Sequence, residues 1–433
     1  MAKEKEITFE DVDKLIQNEF DNLIDFSKVD TSVKTWLDTG VYALNYSCSK
    51  NIYGGIPVSR ITCVDGLSGT GKSLILASTM KDPQVDYIII IETEGGGSSK
   101  ELYEFAGVDM SKVRMLKAST FENYSIKKSD STIKEVADGK FPKTKETKDY
   151  LYVEGVTRMM KKIVNTIMFN GIKKNIVIFL DTLANLQSVR ELSGTVDMGK
   201  KPQEIARFFR TFDTSFEKTN ISFVFANKVY TNIGDEYHPW VVSGGVNVMY
   251  NPSLFIRLAD TSETDDVSDA EMKKEKDRRK TALGSSIKPI RASIEKSRFG
   301  TEKRRCNFLI DMAVGPARYS GLFGLLRDFG VIEKANGSYY KLEGLWEKNF
   351  YKKSFISMIR ENEEANIAKI QELLEAREIE IMTEKKGLQL TIDEDTSDDD
   401  IDNYDVVGEV SGEIFGETDA DDLKKAMIRD VEK

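Results

Sequence analysis

Cysteine, histidine and long apolar runs are scarce in this chain of 433 residues. It contains one histidine and three cysteines, and no two cysteines are spaced as a C-x-x-C pair. We therefore expect neither a disulfide framework nor a Cys/His zinc site. The scarcity of cysteine also predicts a protein of a reducing compartment. The longest apolar runs, Ile88–Ile91 and Ile176–Leu180, are far shorter than the roughly 20 residues that span a bilayer. No membrane segment is predicted.

Charge is distributed unevenly along the chain. The net charge is −10, from 62 basic and 72 acidic residues, which taken alone argues against nucleic-acid binding. However, Thr391–Lys433 holds sixteen acidic and four basic residues and carries −12, whereas residues 1–390 carry +2. Local basic clusters, rather than the total, therefore decide which anions the body of the protein binds.

Short apolar runs alternate with helical patterns between Thr39 and about Gly330. The predicted strands are Ile61–Val64, Tyr87–Ile91, Ile176–Leu180, Ile221–Ala226, Leu254–Leu258, Ile290–Ile294 and Phe308–Met312. Continuous apolar strands are typical of a sheet that is covered on both faces. The pattern therefore predicts an α/β fold with a mixed, mainly parallel sheet.

Four regions are predicted along the chain. They are a helical arm at 1–35, an α/β core at 36–330, a small and mostly helical α/β region at 331–390, and a disordered acidic tail at 391–433. In the third region we expect a strand pair around Gly337 and one long helix over Asn349–Lys386. The arm contains an amphipathic helix, which packs either on its own core or on a neighbouring subunit.

A phosphate-binding loop is predicted at Gly66-Leu67-Ser68-Gly69-Thr70-Gly71-Lys72-Ser73, which matches G-x-x-x-x-G-K-[ST] at every position. The loop follows the predicted strand Ile61–Val64 and leads into a helical pattern at Ser73–Met80. Glycines let backbone N–H groups approach phosphates without a Cβ clash. We expect all eight residues to bind nucleotide, with Lys72 at the β- and γ-phosphates and the Ser73 hydroxyl at Mg²⁺.

Carboxylates follow two of the apolar strands. Asp181 comes after Ile176–Leu180, and in P-loop nucleotide hydrolases such an aspartate contacts Mg²⁺, usually through water. Glu92 and Glu94 follow Tyr87–Ile91, and alternation along a strand places both on one face. Either glutamate could orient a water against the γ-phosphate as a general base, and periodicity alone does not choose between them.

Further short segments occur in a characteristic order around these motifs. They are Leu37-Asp38-Thr39-Gly40, Gly54-Gly55-Ile56-Pro57, Glu92-Thr93-Glu94 with Gly107-Val108-Asp109, Asn227-Lys228 with Gly244-Gly245, Glu295-Lys296-Ser297-Arg298 and Tyr319-Ser320-Gly321-Leu322. Together they resemble the core of the RecA-type recombinases over roughly residues 36–345. The last two segments look closest to the UvsX-like branch, which T-even-type bacteriophages encode.

The resemblance implies a DNA-stimulated ATPase with a RecA-like core that uses ATP and Mg²⁺. Such proteins form helical filaments on single-stranded DNA, pair it with homologous duplex DNA, and work with single-strand-binding and mediator proteins. For this chain the resemblance implies that Glu94 activates water and that Asp181 is the magnesium-side acid. It also implies that Lys296 and Arg298 reach across a filament interface to the ATP of the neighbour. The expected location is the cytoplasm of a phage-infected bacterium.

Two loops that follow strands, Gln187–Lys201 and Val229–Gly245, are predicted to contact DNA, because cations bind phosphates and aromatic rings stack on bases. Gly244 and Gly245 are expected to form a hinge in the second loop. The predicted DNA-binding residues are Arg190, Lys200, Lys201, Lys228, Tyr230, Trp240, Gly244 and Gly245. Lys228 departs from the family, which usually has glutamine or histidine there as a γ-phosphate sensor. Lysine can donate to a phosphate but accepts no hydrogen bond, so the coupling of ATP to DNA is expected to differ.

Two other functions fit parts of the same pattern. One is a RecA-fold helicase or motor, and the other is a recombination mediator that binds nucleotide without turnover. The acidic tail also has two open roles, because it either keeps the protein soluble or competes with DNA phosphates for the basic loops.

Overall fold

The computed structural model describes residues 30, 32–93, 100–116, 152–188, 191, 200–231, 240–245, 247–262 and 287–395. Outside these ranges lie Glu94, Arg190, nearly all of the predicted arm and most of the predicted acidic tail. The chain divides into two units. Met1–Glu375 contains the sheets, and Ala376–Lys433 is described up to Asp395, where it is helical.

The strands and helices are labelled here in chain order. The strands are β1 (Trp36–Leu37), β2 (Ile56–Pro57), β3 (Ile61–Gly66), β4 (Tyr87–Glu92), β5 (Val113–Leu116), β6 (Ile176–Asp181), β7 (Ile221–Thr231), β8 (Trp240–Val242), β9 (Leu254–Asp260), β10 (Ile287–Ser297), β11 (Arg305–Asp311), β12 (Gly315–Pro316), β13 (Glu333–Lys334), β14 (Tyr339–Leu342) and β15 (Trp346–Tyr351). The α-helices are α1 (Tyr42–Ser49), α2 (Lys72–Met80), α3 (Lys100–Ala106), α4 (Val153–Phe169), α5 (Lys200–Glu217), α6 (Asn247–Tyr250), α7 (Leu322–Asp328), α8 (Phe355–Glu361) and α9 (Glu363–Asp395). In the described ranges, no helix is long and apolar enough to cross a membrane.

One large sheet organises the described part of the first unit. Its ten strands run in the order β12-β11-β10-β9-β3-β7-β6-β4-β5, with β8 beside β7. The strands from β9 to β5 are parallel to their neighbours, whereas β8, β10, β11 and β12 pair antiparallel. The prediction of an α/β fold with a mixed, mainly parallel sheet is confirmed. All seven predicted strands occur, and Met312 is their one residue that lies outside a strand.

The central strands are apolar throughout because both faces of the sheet are covered. In β4, Ile88 and Ile90 belong to one buried cluster, and Ile89 and Ile91 belong to the other. The second cluster is rich in phenylalanine from α5 and the strands that it covers: Phe208, Phe209, Phe212, Phe216, Phe223, Phe225 and Phe255. The α5 members recur every three or four residues, which is the spacing of one helix face.

The C-terminal region differs from its prediction in the start and continuity of its helix and in the number of its strands. The expected long helix over Asn349–Lys386 is wrong at its start, because residues up to Tyr351 belong to β15. The side chain of Phe350 is buried there, with its ring 5.9 Å from that of Phe355. Asn362 then leaves helical geometry, with φ −148° and ψ 70°, and separates α8 from α9. The expected strand pair is part of a three-stranded antiparallel sheet, β13-β14-β15.

Candidate functional site

The predicted phosphate loop connects the last residue of β3 to the first residue of α2. Lys72 begins the helix, and the helix ends at Met80, as the pattern predicted. Gly71 has a φ of 84°, and a Cβ atom at this position would lie 2.5 Å from Cδ1 of Ile310. Only glycine fits this backbone conformation beside a buried isoleucine. The loop therefore has the geometry that leaves backbone N–H groups open to an anion at the start of a helix.

The ammonium group of Lys72 lies over the loop itself. Its Nζ donates to the carbonyl oxygen of Gly66 at 2.9 Å and to that of Leu67 at 2.8 Å. These contacts bring a positive charge to the loop where the phosphates of a nucleotide would bind. The predicted role of this lysine at the β- and γ-phosphates stays a prediction.

Asp181 and Ser73 meet beside the loop. The Oγ of Ser73 donates to Oδ2 of Asp181 at 3.2 Å, although the two residues are 108 positions apart. A carboxylate and a hydroxyl are the hard oxygen ligands that Mg²⁺ accepts, with water and phosphate completing its shell. The neighbouring Thr182 has a buried hydroxyl without a hydrogen-bond partner in the described part of the chain. These oxygens fit a Mg²⁺-nucleotide.

The carboxyl ends of β4 and β6 are tied together. Glu92 and Asp181 are neighbours across the two strands, and both are buried. The backbone N–H and the hydroxyl of Thr93 both donate to the carbonyl oxygen of Asp181 at 2.9 Å. Glu94, the predicted general base, lies outside the described residues, so its assignment stays a prediction.

A cleft of about 500 Å³ opens along the phosphate loop. It is lined by Leu67, Ser68, Gly69, Gly71, Lys72, Ser73, Leu74, Leu102, Asp181, Thr182, Lys228, Val229, Tyr230 and Met312. The lining combines the loop and Asp181 with two predicted DNA-binding residues, Lys228 and Tyr230. Leu102 and Met312 add apolar walls, a contribution for which the sequence contained no specific signal.

Two predicted DNA-binding lysines are anchored on the turn that follows Asp181. This turn is a short 3₁₀-helix, Leu183–Asn185. Lys201 donates from Nζ to the carbonyl oxygen of Ala184 at 2.9 Å, and Lys228 donates to Oδ1 of Asn185 at 3.3 Å. The turn therefore links Asp181 to two of the predicted DNA-binding lysines.

The local structure of the DNA candidates differs from the prediction. Lys200 and Lys201 were expected in a loop, but they begin α5. Lys228 and Tyr230 were expected near or in a loop, but β7 continues to Thr231 because β8 supplies hydrogen-bond partners for its end. Tyr230 is 54% exposed there.

The glycine pair after β8 and the tryptophan that begins it complete the predicted set. Gly244 and Gly245 have φ angles of 94° and 82°, which suits the predicted hinge. Trp240 begins β8, while its side chain, like the whole of Arg190, lies outside the described residues.

Lys296 and Arg298 lie far from the phosphate loop of their own chain. Ser297, between them, aligns through Leu254 with Thr62 near the start of β3. The loop begins at Gly66, four residues farther on, which is about 13 Å along a strand. The Nζ of Lys296 donates to the carbonyl oxygen of Tyr250, and burial lowers the pKa of this lysine, with Arg298 adding to the effect.

A buried ion pair at the root of the loop was missed by sequence reasoning. Arg257 binds both carboxylate oxygens of Asp65, with Nε 3.1 Å from Oδ1 and Nη2 2.9 Å from Oδ2. Burial raises the pKa of Asp65 to about 6, while hydrogen bonds from Arg257 oppose the rise. Among nearby charges, Glu295 raises this pKa and Lys72 lowers it.

We expect Asp65→Asn to change how stability depends on pH. The folded chain binds the Asp65 proton more tightly than the unfolded chain does, so the carboxyl favours folding most below its ordinary pKa of 3.8 and loses this contribution as pH rises through about 6. The free energy of unfolding of the wild type, relative to the variant, should fall by about 2 kcal/mol between those pH values. Urea unfolding across that range measures the difference.

Asp86→Asn is the control, because the contribution of Asp86 to stability should change with pH in the opposite direction to that of Asp65. The backbone N–H of Asn175, followed by Lys174, lowers the pKa of Asp86. Its contribution is therefore present above the unfolded pKa and is lost as pH falls. Parallel slopes for the two variants would contradict the assignment of Asp65.

The structure thus brings the phosphate loop, Asp181, Lys201, Lys228 and Tyr230 to one edge of the sheet and leaves Lys296 and Arg298 away from it. Among the described residues, no group of three or more His, Cys, Asp or Glu side chains is arranged to hold a metal ion. A scan against models of protein families finds no match for this chain, and no curated protein matches its sequence.

Proposed function

We propose that this chain is an ATP-dependent DNA recombinase of the RecA type, closest to the UvsX-like branch of bacteriophages. It forms filaments on single-stranded DNA and pairs that strand with a homologous duplex. The observation that carries the proposal is the shared cleft, in which the phosphate loop and Asp181 face Lys228 and Tyr230. A site of this kind allows nucleotide binding to change the surface that contacts DNA.

The nucleotide half of the proposal rests on matched charges and donors. The backbone N–H groups at the start of α2 and the ammonium of Lys72 would hold the β- and γ-phosphates. Ser73 and Asp181 would hold Mg²⁺, which neutralises phosphate charge when bound. The resemblance assigns water activation to Glu94. Together these residues support hydrolysis rather than binding alone.

The DNA half rests on the turn after Asp181. Lys201 and Lys228 are both bonded to that turn, so a movement of Asp181 on binding nucleotide would be passed to both lysines. Tyr230 is exposed beside Lys228 and offers a ring on which a base can stack. The lysines would contact the phosphates of the DNA strand.

Assembly is supported by the position of Lys296 and Arg298. Their alignment with the start of β3 keeps both cations away from the phosphate loop of the same chain. They can act on ATP only if a neighbouring subunit presents its loop to them. A head-to-tail arrangement of this kind generates a helical filament when the rotation does not close.

The first test measures ATP turnover with and without single-stranded DNA. We expect DNA to raise turnover, because DNA binding orders the cleft and assembles the subunits. Electron microscopy with single-stranded DNA and a non-hydrolysable ATP analogue should then show helical filaments. Closed rings with unwinding activity would favour the motor, and ATP binding without turnover or filaments would favour the mediator. The proposal would be contradicted if single-stranded DNA left the rate of ATP turnover unchanged at both low and moderate salt.

A further inference from the structure

The ion pair between Asp65 and Arg257 lies immediately before the phosphate loop. The side chain of Asp65 has no solvent exposure, and that of Arg257 is 17% exposed. The two residues are also direct neighbours across the parallel strands β3 and β9. The planar guanidinium grips both carboxylate oxygens, so the position of the residue before Gly66 is tied to that of Arg257.

Packing alone does not account for this pair. Burying two charges carries a desolvation penalty, and apolar residues of similar volume often hold a core equally well. The surrounding positions of β3 are filled in that way, by Cys63 and Val64. A charged pair at Asp65, the residue directly before the loop, therefore indicates a role that apolar side chains would not perform.

Glu295 connects the pair to Lys296 on β10. Its Oε2 lies 3.8 Å from Nη1 of Arg257. The register of β10 against β9 shifts between Ile294 and Lys296, so Glu295 occupies a β-bulge. Bulges redirect side chains, and the next residue is Lys296. The chain of contacts thus runs from the root of the phosphate loop to Lys296.

We propose that Asp65, Arg257 and Glu295 form a positioning network that links the phosphate loop of a subunit to Lys296 of the same subunit. This inference rests on the proposed function, in which Lys296 acts on the ATP of the next subunit. A nucleotide on the loop shifts Asp65, Arg257 follows its carboxylate, and Glu295 moves the bulge. The state of one ATP site thereby sets the position of the lysine that the next site receives.

Glu295→Gln tests the network with little risk to folding, because Glu295 is one-third exposed. We expect DNA-stimulated kcat to fall about tenfold and the Hill coefficient for ATP to fall from above 1 to about 1. Binding of a fluorescent ATP analogue to the variant should stay within about twofold of wild type, because its own loop is intact. A purely structural effect would lower the melting temperature and would not reduce kcat and the Hill coefficient while leaving nucleotide binding unchanged.

The matched control is Glu217→Gln. Glu217 makes a similar contact with Arg60, at 3.6 Å. Arg60 comes just before the first residue of β3, whereas the loop begins at the last residue of that strand. This variant should keep the wild-type kcat and Hill coefficient. Loss of cooperativity in the control as well would show that any broken surface pair has this effect, and would overturn the inference.

A double variant separates positioning from independent effects. If Glu295 acts through Lys296, then Glu295→Gln combined with Lys296→Ala should be no slower than Lys296→Ala alone. If the fold-losses in kcat of the two single variants multiplied in the double variant, the network would be overturned. Wild-type cooperativity in Glu295→Gln would also overturn it. If the wild type itself hydrolyses no ATP, the proposed function fails first and the network fails with it. If the wild type is active without cooperativity, only the network fails.

Discussion

Lys72→Ala is expected to lower ATP turnover by roughly 10²- to 10³-fold, with or without DNA. The ammonium of Lys72 already lies within hydrogen-bond distance of two carbonyl oxygens of the loop. In the proposed reaction it stabilises the charge that develops on the transferred phosphoryl group, and alanine supplies neither charge nor donor. Steady-state phosphate release measures the loss.

The control for Lys72→Ala is Lys81→Ala. Lys81 is an exposed lysine at the other end of the same helix, α2. Its removal changes the net charge equally but leaves the loop intact, so turnover should match that of the wild type. Normal turnover in Lys72→Ala would contradict the assignment of the phosphate loop.

Arg298→Ala is expected to reduce turnover by about 10³-fold, the loss that follows removal of an arginine finger. Arg298 lies on the opposite edge of the sheet from its own loop, with a weak contact to Asp213 at 3.8 Å. In the proposed filament, its effect would therefore be on the ATP of a neighbouring subunit. Lys296→Ala should have an effect in the same direction, although it also removes the bond to Tyr250.

Mixing two inactive variants tests whether Arg298 acts between subunits. A Lys72→Ala subunit retains its cations, and an Arg298→Ala subunit retains its loop. In an equal, random mixture, about a quarter of the head-to-tail interfaces join an intact loop to intact cations. Turnover should therefore recover to about that fraction of wild type. No recovery, in filaments shown to contain both variants, would place Arg298 in its own subunit's site or outside catalysis.

The fold could be predicted to the extent that its signals are local. The run Ile88–Ile91 reads as one strand because both of its faces are buried, and neighbouring residues alternate between two clusters. β5 and β8 were missed because they are short and partly exposed, so that pairing rather than composition makes them strands. Asn349 was assigned to a helix because the packing of the nearby Phe350 is not visible in the local pattern.

The candidate site divides in the same way. Lys72 and Ser73 could be predicted as site residues because the candidate phosphate loop is eight consecutive residues that match one spacing rule. The anchoring of Lys228 on Asn185 joins residues 43 positions apart, and no spacing rule predicts it. Asp65 gave no signal as a functional residue, since a lone aspartate beside a glycine is common in turns.

By itself, the sequence determined the class of fold and the order of strand, loop and helix around the candidate phosphate loop, because backbone preference and burial act over a few neighbouring residues. Only the tertiary structure decided that Lys228 faces the loop, that Arg298 does not, and that Arg257 clamps Asp65 from 192 positions away. These outcomes depend on the order and register of the strands. Strand order is set by the packing of the whole sheet, which no short segment encodes.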